Sequence, residues 1–197
     1  GGVGAAGVPA VLAGAGGACG LACQGPRSDF SAGVMLLVFR PFKVGDWVCV
    51  AGVSGGVDQI DLFTTTLDTA DNRRLIVPNS SIFGTTIENV TFHDIRRVEV
   101  LVGTSYEADL DRVREILEQV CRNLEGVLED PAPAVYLWEL GSSSIDWRLR
   151  VWANTPDFWA VRERLTRAAK VALDNEGISI PFPQMDVHLD SPNPAGA

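Results

Sequence analysis

The chain has 197 residues, of which 46% are hydrophobic and 21% charged, and its formal net charge at pH 7 is −9. A chain of this length holds one or two domains with a buried core. The acidic balance argues against a nucleic-acid binder, because neutralising phosphates requires clustered Lys and Arg. Four scattered cysteines and two histidines form neither a zinc motif nor a disulfide framework, so buried, reduced cysteines are expected.

The first distinctive stretch is rich in glycine and alanine. The 22 residues from Val3 to Gln24 carry no charge, which is about the length of a helix that spans a bilayer. Gly16 and Gly20 have the four-residue spacing that lets membrane helices pack closely, and Ala18 and Ala22 repeat it. A flexible linker and a glycine-rich nucleotide loop stay open as alternatives, although no strand precedes the glycines and no suitably spaced acidic residue follows them.

A break and a second helix come next. Gly25 suits the end of one helix and Pro26 suits the first turn of another. The second helix is predicted to run to about Phe39, with Gly33 as a further weak point in it. Its predicted apolar face consists of Val34, Leu37 and Val38. The whole segment therefore reads as a kinked helix.

Short β-strands are predicted between Lys43 and Phe92, which indicates a small barrel or a β-sandwich. The predicted strands and turns are Trp47–Val50, Gly52–Val57, Asp58–Phe63, Thr64–Leu67, a hairpin turn at Asp68–Asn72, and Arg74–Asn79. Four carboxylates lie in this region, at Asp58, Asp61, Asp68 and Asp71. Their positions favour turns and solvent-facing strand positions over a metal or acid–base site.

From Ile95 onward the pattern becomes β-α-β-β-α and ends at Ile178–Ile180, which predicts a split βαβ, ferredoxin-like arrangement. One helix is predicted to start at Asp109, and its apolar face consists of Leu110, Val113, Leu117, Val120 and Leu124. The other is capped by Thr155, runs to about Glu176, and has an apolar face of Phe158, Val161, Leu165, Ala168 and Ala172.

The sequence contains no recognisable catalytic motif. Nucleophile-elbow, P-loop and HExxH patterns are all missing from it. His93 and His188 lie in strand-like contexts and are interpreted as structural. Trp138, Trp147, Trp152 and Trp159 could line a ligand pocket, but packing in a core is the commoner role of such residues. We therefore expect no enzyme, no metal and no cofactor.

Several short motifs spread along the chain match one protein family in the same order. They are Gln24-Gly25, Ser31–Val34, Phe39–Asp46, Thr64–Asn72, Ile76–Ser80, Glu88–Thr91, Glu139–Ile145, Val151-Trp152 and Gly177–Val187. In this order and spacing, from about Gly14 to Val187, the chain resembles the small-conductance mechanosensitive (MscS) channel family. Agreement at many separate motifs makes the resemblance specific.

The resemblance implies a fold, an assembly and a location. Residues 1–42 would form a pore-lining transmembrane helix kinked at Gly25, residues 43–93 an Sm-like β domain, and residues 94–183 a ferredoxin-like α/β domain. Residues 184–190 would add a strand to a shared C-terminal β-barrel, and residues 191–197 would be a disordered tail. The protein would be a homoheptamer in the cell (inner) membrane, multi-pass at full length, with everything after about residue 43 cytoplasmic. Two upstream sensor helices are expected to be missing here.

The resemblance also implies site residues. The two sealing positions of the pore would be Leu21 and position 17, which is Gly17 here, so the apolar gate is predicted to rest on Leu21 alone. Gly25 and Gly33 would be helix hinges, and Gly16, Ala18, Gly20 and Ala22 would pack the copies together. The expected partners are other copies, the lipid bilayer, ions and small osmolytes, without nucleic acid. The rival hypothesis is a soluble regulatory or ligand-binding module built on the ferredoxin-like domain.

Overall fold

A computed structural model describes residues 24–188. The chain divides into two compact units, with the boundary between His93 and Asp94. Among the helices within residues 24–188, none combines the length and the apolar character needed to cross a bilayer.

The first unit is an antiparallel sheet with a helix packed on it. Its elements are helix α1 (Gln24–Phe39), strands β1 (Trp47–Val50), β2 (Val53–Ile60), β3 (Thr64–Asp68) and β4 (Arg74–Pro78), helix α2 (Asn79–Phe83) and strand β5 (Glu88–Asn89). The strand order is β4-β3-β2-β1-β5. The strands predicted at Trp47–Val50 and Thr64–Leu67 are confirmed. The prediction at Asp58–Phe63 is wrong beyond Ile60, and α2 was not predicted.

The turns of this unit explain its carboxylates. The β3–β4 hairpin closes through hydrogen bonds between Thr69 and Arg73, and Asp71 accepts from both side chains. Arg74 contacts Asp68 at 2.9 Å and Asp58 at 2.8 Å across neighbouring strands. The hydrogen bond from Arg74 is the main cause that lowers the pKa of Asp68 below its usual value. The pKa of Asp71 is lowered mainly by the hydrogen bond from the Thr69 hydroxyl and then by that from Arg73. Turn and strand-surface roles therefore account for three of the four carboxylates.

The second unit is a three-stranded antiparallel sheet with helices. Its elements are β6 (Ile95–Thr104), α3 (Leu110–Asn123), β7 (Ala134–Leu140), β8 (Ile145–Asn154), a 3₁₀ turn (Thr155–Asp157) and α4 (Phe158–Asn175). The strand order is β6-β8-β7, and β8 is antiparallel to both neighbours. Strands β6 and β7 are consequently parallel and joined by α3, with β8 inserted between them. This is the predicted split βαβ order.

The ends of these elements follow local chemistry. Asp109 caps α3 by accepting a hydrogen bond from the Arg112 backbone N–H at 2.9 Å, as the sequence indicated. Thr155 begins a 3₁₀ turn rather than the α-helix itself. Gly177 ends the unit's last helix with a φ of +70°.

The chain after α4 forms no strand up to residue 188. The predicted strand at Ile178–Ile180 is absent, and only one backbone hydrogen bond, from the Ser105 N–H to the Ser179 carbonyl (3.0 Å), joins this segment to the end of β6. Residues 184–188 also have no ladder partner, and residues 189–197 lie outside the described part. A strand in a barrel shared between copies has no partner within one chain, so that strand stays a prediction.

Candidate functional site

Most of the predicted site residues cannot be located. Leu21 and Gly17 lie outside the described residues, and so do the four predicted helix-packing residues, Gly16, Ala18, Gly20 and Ala22. Gly25 and Gly33 are both part of α1. The structural site is accordingly built around α1 and its contact with the sheet of the first unit.

Gly33 is a point of very close contact. A Cβ atom added there would lie 2.1 Å from the Leu62 carbonyl oxygen and 2.6 Å from Nδ2 of Asn79. Real side chains cannot approach a backbone oxygen so closely, so only glycine fits. Helix α1 continues unbroken through this position. The sequence marks Gly33 as a weak point, and the structure adds that it is where the helix backbone meets the β domain.

Asn79 organises the other side of this contact. Its side chain is fully buried, donates to the Asp61 carbonyl at 2.8 Å, and accepts from the Thr65 hydroxyl at 2.8 Å. Its backbone N–H donates to the Phe63 carbonyl at 2.9 Å. These bonds hold the β2–β3 loop, which carries the Leu62 carbonyl, in position under α1. Sequence reasoning placed Asn79 at the end of a strand and in one of the family motifs, but did not predict its buried hydrogen bonds.

A polar pair lies one turn before Gly33 on the same face of α1. The Asp29 Oδ1 atom accepts hydrogen bonds from the Ser80 backbone N–H (3.0 Å) and from the Ser80 hydroxyl (2.5 Å). Ser80 lies in the first turn of α2, directly after Asn79. The pair therefore joins α1 to α2 at the same place where Gly33 meets the loop.

The structure shows which side of α1 packs on the sheet. Leu36 is fully buried and Ala32 is 7% exposed, so the face toward the sheet comprises positions 29, 32, 33 and 36, one helical stripe. The residues predicted as its apolar face, Val34, Leu37 and Val38, are exposed. Nearly every residue from 33 to 39 is apolar, so the sequence pattern alone does not tell which side of the helix faces the sheet. Phe30, Met35 and Phe39 extend the exposed apolar face.

The loop after α1 is also held rigidly. Asp46 is 8% exposed and accepts from the Lys43 backbone N–H at 3.0 Å and from the Asn89 side chain at 2.8 Å. Arg40 and Gly45 both adopt positive φ angles, 46° and 94°, in this turn. A carboxylate that accepts from two sides fixes the exit of α1 relative to β1 and β5.

The four tryptophans considered as pocket residues are spread over the second unit. Trp147 is in the core and donates to the Thr104 hydroxyl at 3.0 Å, so core packing is confirmed for it. Trp138 and Trp152 lie on the sheet surface near arginines, and Trp159 is 70% exposed on α4. Within residues 24–188, no group of three or more Cys, His, Asp and Glu side chains could hold a metal ion.

Two family profiles match the chain. One, described as "Mechanosensitive ion channel, beta-domain", covers residues 26–92, and one described as "Mechanosensitive ion channel MscS, C-terminal" covers residues 98–180. A small-conductance mechanosensitive channel of Edwardsiella ictaluri is 45% identical over 89% of this chain and 61% of its own length. An uncharacterized MscS family protein of Synechocystis is 41% identical over 89% of this chain and 59% of its own length.

Solved structures show the same similarity. The closed-state crystal structure of Helicobacter pylori MscS superimposes with a TM-score of 0.89 at 31% identity, covering 97% of this chain and 76% of that chain. Arabidopsis thaliana MSL1 superimposes with a TM-score of 0.74 at 22% identity, covering 87% and 65%, and shares the fold. The chain spans about three fifths of the length of the two curated relatives above.

Proposed function

The chain belongs to the MscS family of mechanosensitive ion channels, and we propose that it forms the pore helix and the cytoplasmic vestibule of such a channel. Its fold is MscS-like, with a β domain followed by a C-terminal domain, and the family consists of channels rather than enzymes. The structural observation that carries the proposal is the docking of α1 on the β domain. One helical stripe is fixed by Gly33, Asp29 and Leu36, while the remaining apolar face is left uncovered within one chain.

We propose that the uncovered apolar face of α1 contacts other copies and lipid. Exposed apolar residues on this scale suit a protein or membrane contact rather than water. A homoheptamer in the inner membrane, multi-pass at full length and with residues after about 43 in the cytoplasm, would place this face at the channel's membrane-proximal end. The first unit would then be the Sm-like domain and the second the ferredoxin-like domain.

The pore itself is proposed for the residues before α1. Seven helices around one axis approach closely only if small residues face their neighbours, and Gly16, Ala18, Gly20 and Ala22 would supply them. Leu21 would form the apolar ring that closes the pore by dewetting, and Gly17 would leave the second ring open. Ions and small osmolytes would permeate under membrane tension and relieve hypo-osmotic shock.

Closed-state leak in patch recordings of the full-length channel tests the gate. Gly17→Leu is expected to lower the leak, because it restores a second apolar ring next to Leu21. An unchanged leak and tension threshold would contradict the single-ring gate. Purification of the chain as a detergent-requiring heptamer would support the assembly, whereas a detergent-free monomer would favour a soluble regulatory module.

The hinge role of Gly25 and Gly33 is tested separately. Replacing Gly25 with Ala stiffens α1 without a clash, since nothing lies within 4 Å of an added Cβ. Altered closing or adaptation under sustained tension in Gly25→Ala would support a hinge there. Gly33→Ala stiffens α1 and also disturbs the packing of α1 on the sheet. Its effect on gating therefore has to be compared with its effect on the stability of the first unit, which the thermal unfolding experiment in the Discussion measures.

A further inference from the structure

The open face of the second unit's sheet carries an unusual group of arginines. Residues alternate along β8, so that Trp147, Leu149 and Val151 enter the core while Arg148 and Arg150 lie on the opposite face. Both arginine side chains are largely shielded from solvent, with 21% and 27% of their surface exposed. A guanidinium group shielded from water needs hydrogen-bond acceptors from the protein or from a ligand. The acceptors around Arg148 and Arg150 therefore indicate whether a ligand could bind there.

Aromatic rings cover the flat faces of these guanidinium groups. The Arg148 Cζ atom lies 3.3 Å from the centroid of the Trp138 ring, and the Arg150 Cζ lies 5.0 Å from that of Tyr136. The register between β7 and β8 shifts at Trp138, so a β-bulge turns this indole toward Arg148. Stacking uses the faces of a guanidinium and leaves its N–H edges free for an acceptor in the plane.

The acceptors present do not satisfy those edges. Glu99 is the carboxylate beside both arginines, and its hydrogen bond comes from Arg97 at 2.7 Å. The Nη1 atom of Arg148 lies 3.5 Å from Glu99, and the Nε atom of Arg150 lies 3.1 Å from a Glu99 oxygen, an ion-pair contact without hydrogen-bond alignment. The Nε atoms of both arginines are buried and have no hydrogen-bond partner among the described residues. Three guanidinium groups thus share one carboxylate, and neither buried Nε–H has an aligned acceptor among the described residues.

Acidic groups lie next to this basic centre on the same face. Asp146 precedes Arg148 by two residues on β8, a distance of roughly 7 Å along a strand, and pairs in register with Glu139 on β7. One oxygen of Asp146 accepts from the Ser144 hydroxyl at 2.7 Å. This face of the sheet is therefore basic at Arg148 and Arg150 and becomes acidic two residues away along β8, at Asp146 and its neighbour Glu139.

We propose that this face binds an anionic amino acid, with a carboxylate on the Arg148 and Arg150 edges and the ammonium group toward Asp146 and Glu139. A carboxylate accepts two parallel hydrogen bonds from one guanidinium edge, an alignment that Glu99 gives to neither arginine. An acidic peptide would be repelled by Asp146 and Glu139. A small solute that carries both a carboxylate and an ammonium group matches the basic part and the acidic part of this face. The proposal concerns binding in solution and does not rest on the proposed channel function.

Titration of the full 197-residue chain with potassium L-glutamate, at ionic strength held constant with potassium chloride, tests the site. Calorimetry measures the affinity, and tryptophan fluorescence, compared with Trp138→Phe, locates the change. Saturable binding is expected, and Arg148→Gln or Arg150→Gln should each weaken it about tenfold, because each removes a hydrogen bond to a charged group. The matched control is Arg162→Gln, an arginine 5.7 Å from the ring centroid of Trp159 on α4, which should leave the affinity unchanged.

Further variants keep the test decisive. Should Arg148→Gln unfold by circular dichroism, Arg148→Lys retains the charge without the planar fork and should still weaken binding. Glutarate, which lacks the ammonium group, should bind several-fold more weakly than glutamate, and Glu139→Gln should narrow that difference. Absence of saturable binding, equal affinity in Arg148→Gln and Arg162→Gln, or a fluorescence change on raising the protein concentration alone would overturn the proposal. The last outcome would assign the face to contact between copies.

Discussion

The two units of the chain are stabilised in different ways. The second unit has a core of fifteen buried apolar residues around Trp147, and Thr104 is its buried polar residue among those described. The first unit has a core of eight buried apolar residues, and it also buries Asp46, Thr65 and Asn79. Apolar volume holds the second unit together, whereas the first combines a smaller core with directional polar contacts.

The difference between the two units shows which contacts require exact positions. Apolar packing is non-directional, so a large core tolerates small shifts between its elements. Buried hydrogen bonds and a glycine contact accept only a narrow range of positions. The polar contacts of the first unit lie where α1 meets the sheet, which is the place where a pore helix would transmit movement to the β domain.

The largest effect is expected from breaking the apolar core of the second unit. Trp147→Ala should lower the free energy of unfolding by about 3–5 kcal/mol, because it leaves a large cavity and removes the indole N–H that donates to the buried Thr104 hydroxyl. Urea denaturation followed by circular dichroism measures it. The control is Trp159→Ala, which is 70% exposed and should change the free energy by about 0.5 kcal/mol or less. Equal effects of the two changes would contradict a volume-dominated core.

The next effect concerns the polar network of the first unit. Asn79→Ala should cost about 2–3 kcal/mol, because it leaves the buried Thr65 hydroxyl without its acceptor and the partly buried Asp61 carbonyl without its donor. Adding Thr65→Val should cost less than the sum of the two single changes, since both members of one hydrogen bond are then removed. Asn175→Ala, at an exposed position, is the control. Strictly additive losses would show that the network does not act as a unit.

A smaller effect separates the two glycines of α1. Gly33→Ala should cost about 1–3 kcal/mol, because its Cβ would overlap the Leu62 carbonyl and displace the helix. Gly25→Ala should be neutral or add up to about 1 kcal/mol of stability, since its Cβ meets open space and alanine favours helix. Thermal unfolding of the two variants beside the parent chain measures both. Equal stability of Gly33→Ala and Gly25→Ala would show that the close contact between Gly33 and the Leu62 carbonyl does not contribute to the free energy of unfolding.

The last comparison is between the reactivity of one cysteine in each unit, Cys49 and Cys121. It concerns labelling rates and involves little change in the free energy of unfolding near neutral pH. Burial, with a smaller contribution from Glu118, raises the pKa of the Cys121 thiol to about 12, whereas Cys49 is half-buried. With Cys19 and Cys23 replaced by serine, iodoacetamide at pH 8 should label Cys49 and leave Cys121 unreacted in the native state. Equal labelling rates would contradict the burial of Cys121.

The same thiol has a consequence at high pH. Its ordinary pKa is 9.0, so the unfolded chain loses this proton at a lower pH than the native chain does. The free energy of unfolding should therefore fall as pH rises from about 9 toward 12, and Cys121→Ala should remove that part of the dependence. An unchanged pH dependence in Cys121→Ala would sink this explanation.

Helical periodicity predicted much of the second unit. The stripe predicted for α3 shares Val113 and Leu117 with the fully buried face, and its Val120 and Leu124 pack partly buried against the core. Ile116 and Cys121 are buried as well and were not in the predicted stripe. The stripe predicted for α4 is correct at Phe158, Val161 and Leu165. It then falls one residue behind the buried Ala169 and Leu173. Both deviations arise because the packed face is chosen by the sheet beneath it, and the sequence offers apolar residues on either side of the true stripe.

The junction of α1 was much less predictable. Its contacts join residues 29 and 80, and 33 and 62, which are far apart in the chain and follow no period. The sequence marked Gly33 as a helix weak point and a predicted hinge, and Asn79 as the end of a strand within a family motif, but neither was predicted to contact the other element. A buried polar residue after a proline is a weak signal, because its partners come from the β2–β3 loop and strand β3.

The sequence by itself determined the family, the succession of strands and helices, and the ends of helices set by Asp109 and Gly177. These features depend on local chemistry and on motifs that are contiguous in the chain. Only the tertiary structure decided which side of α1 is buried, why position 33 is glycine, and how the bulge at Trp138 brings an indole over Arg148. The physical reason is that each of these depends on short distances between segments remote in sequence, which composition and periodicity do not encode.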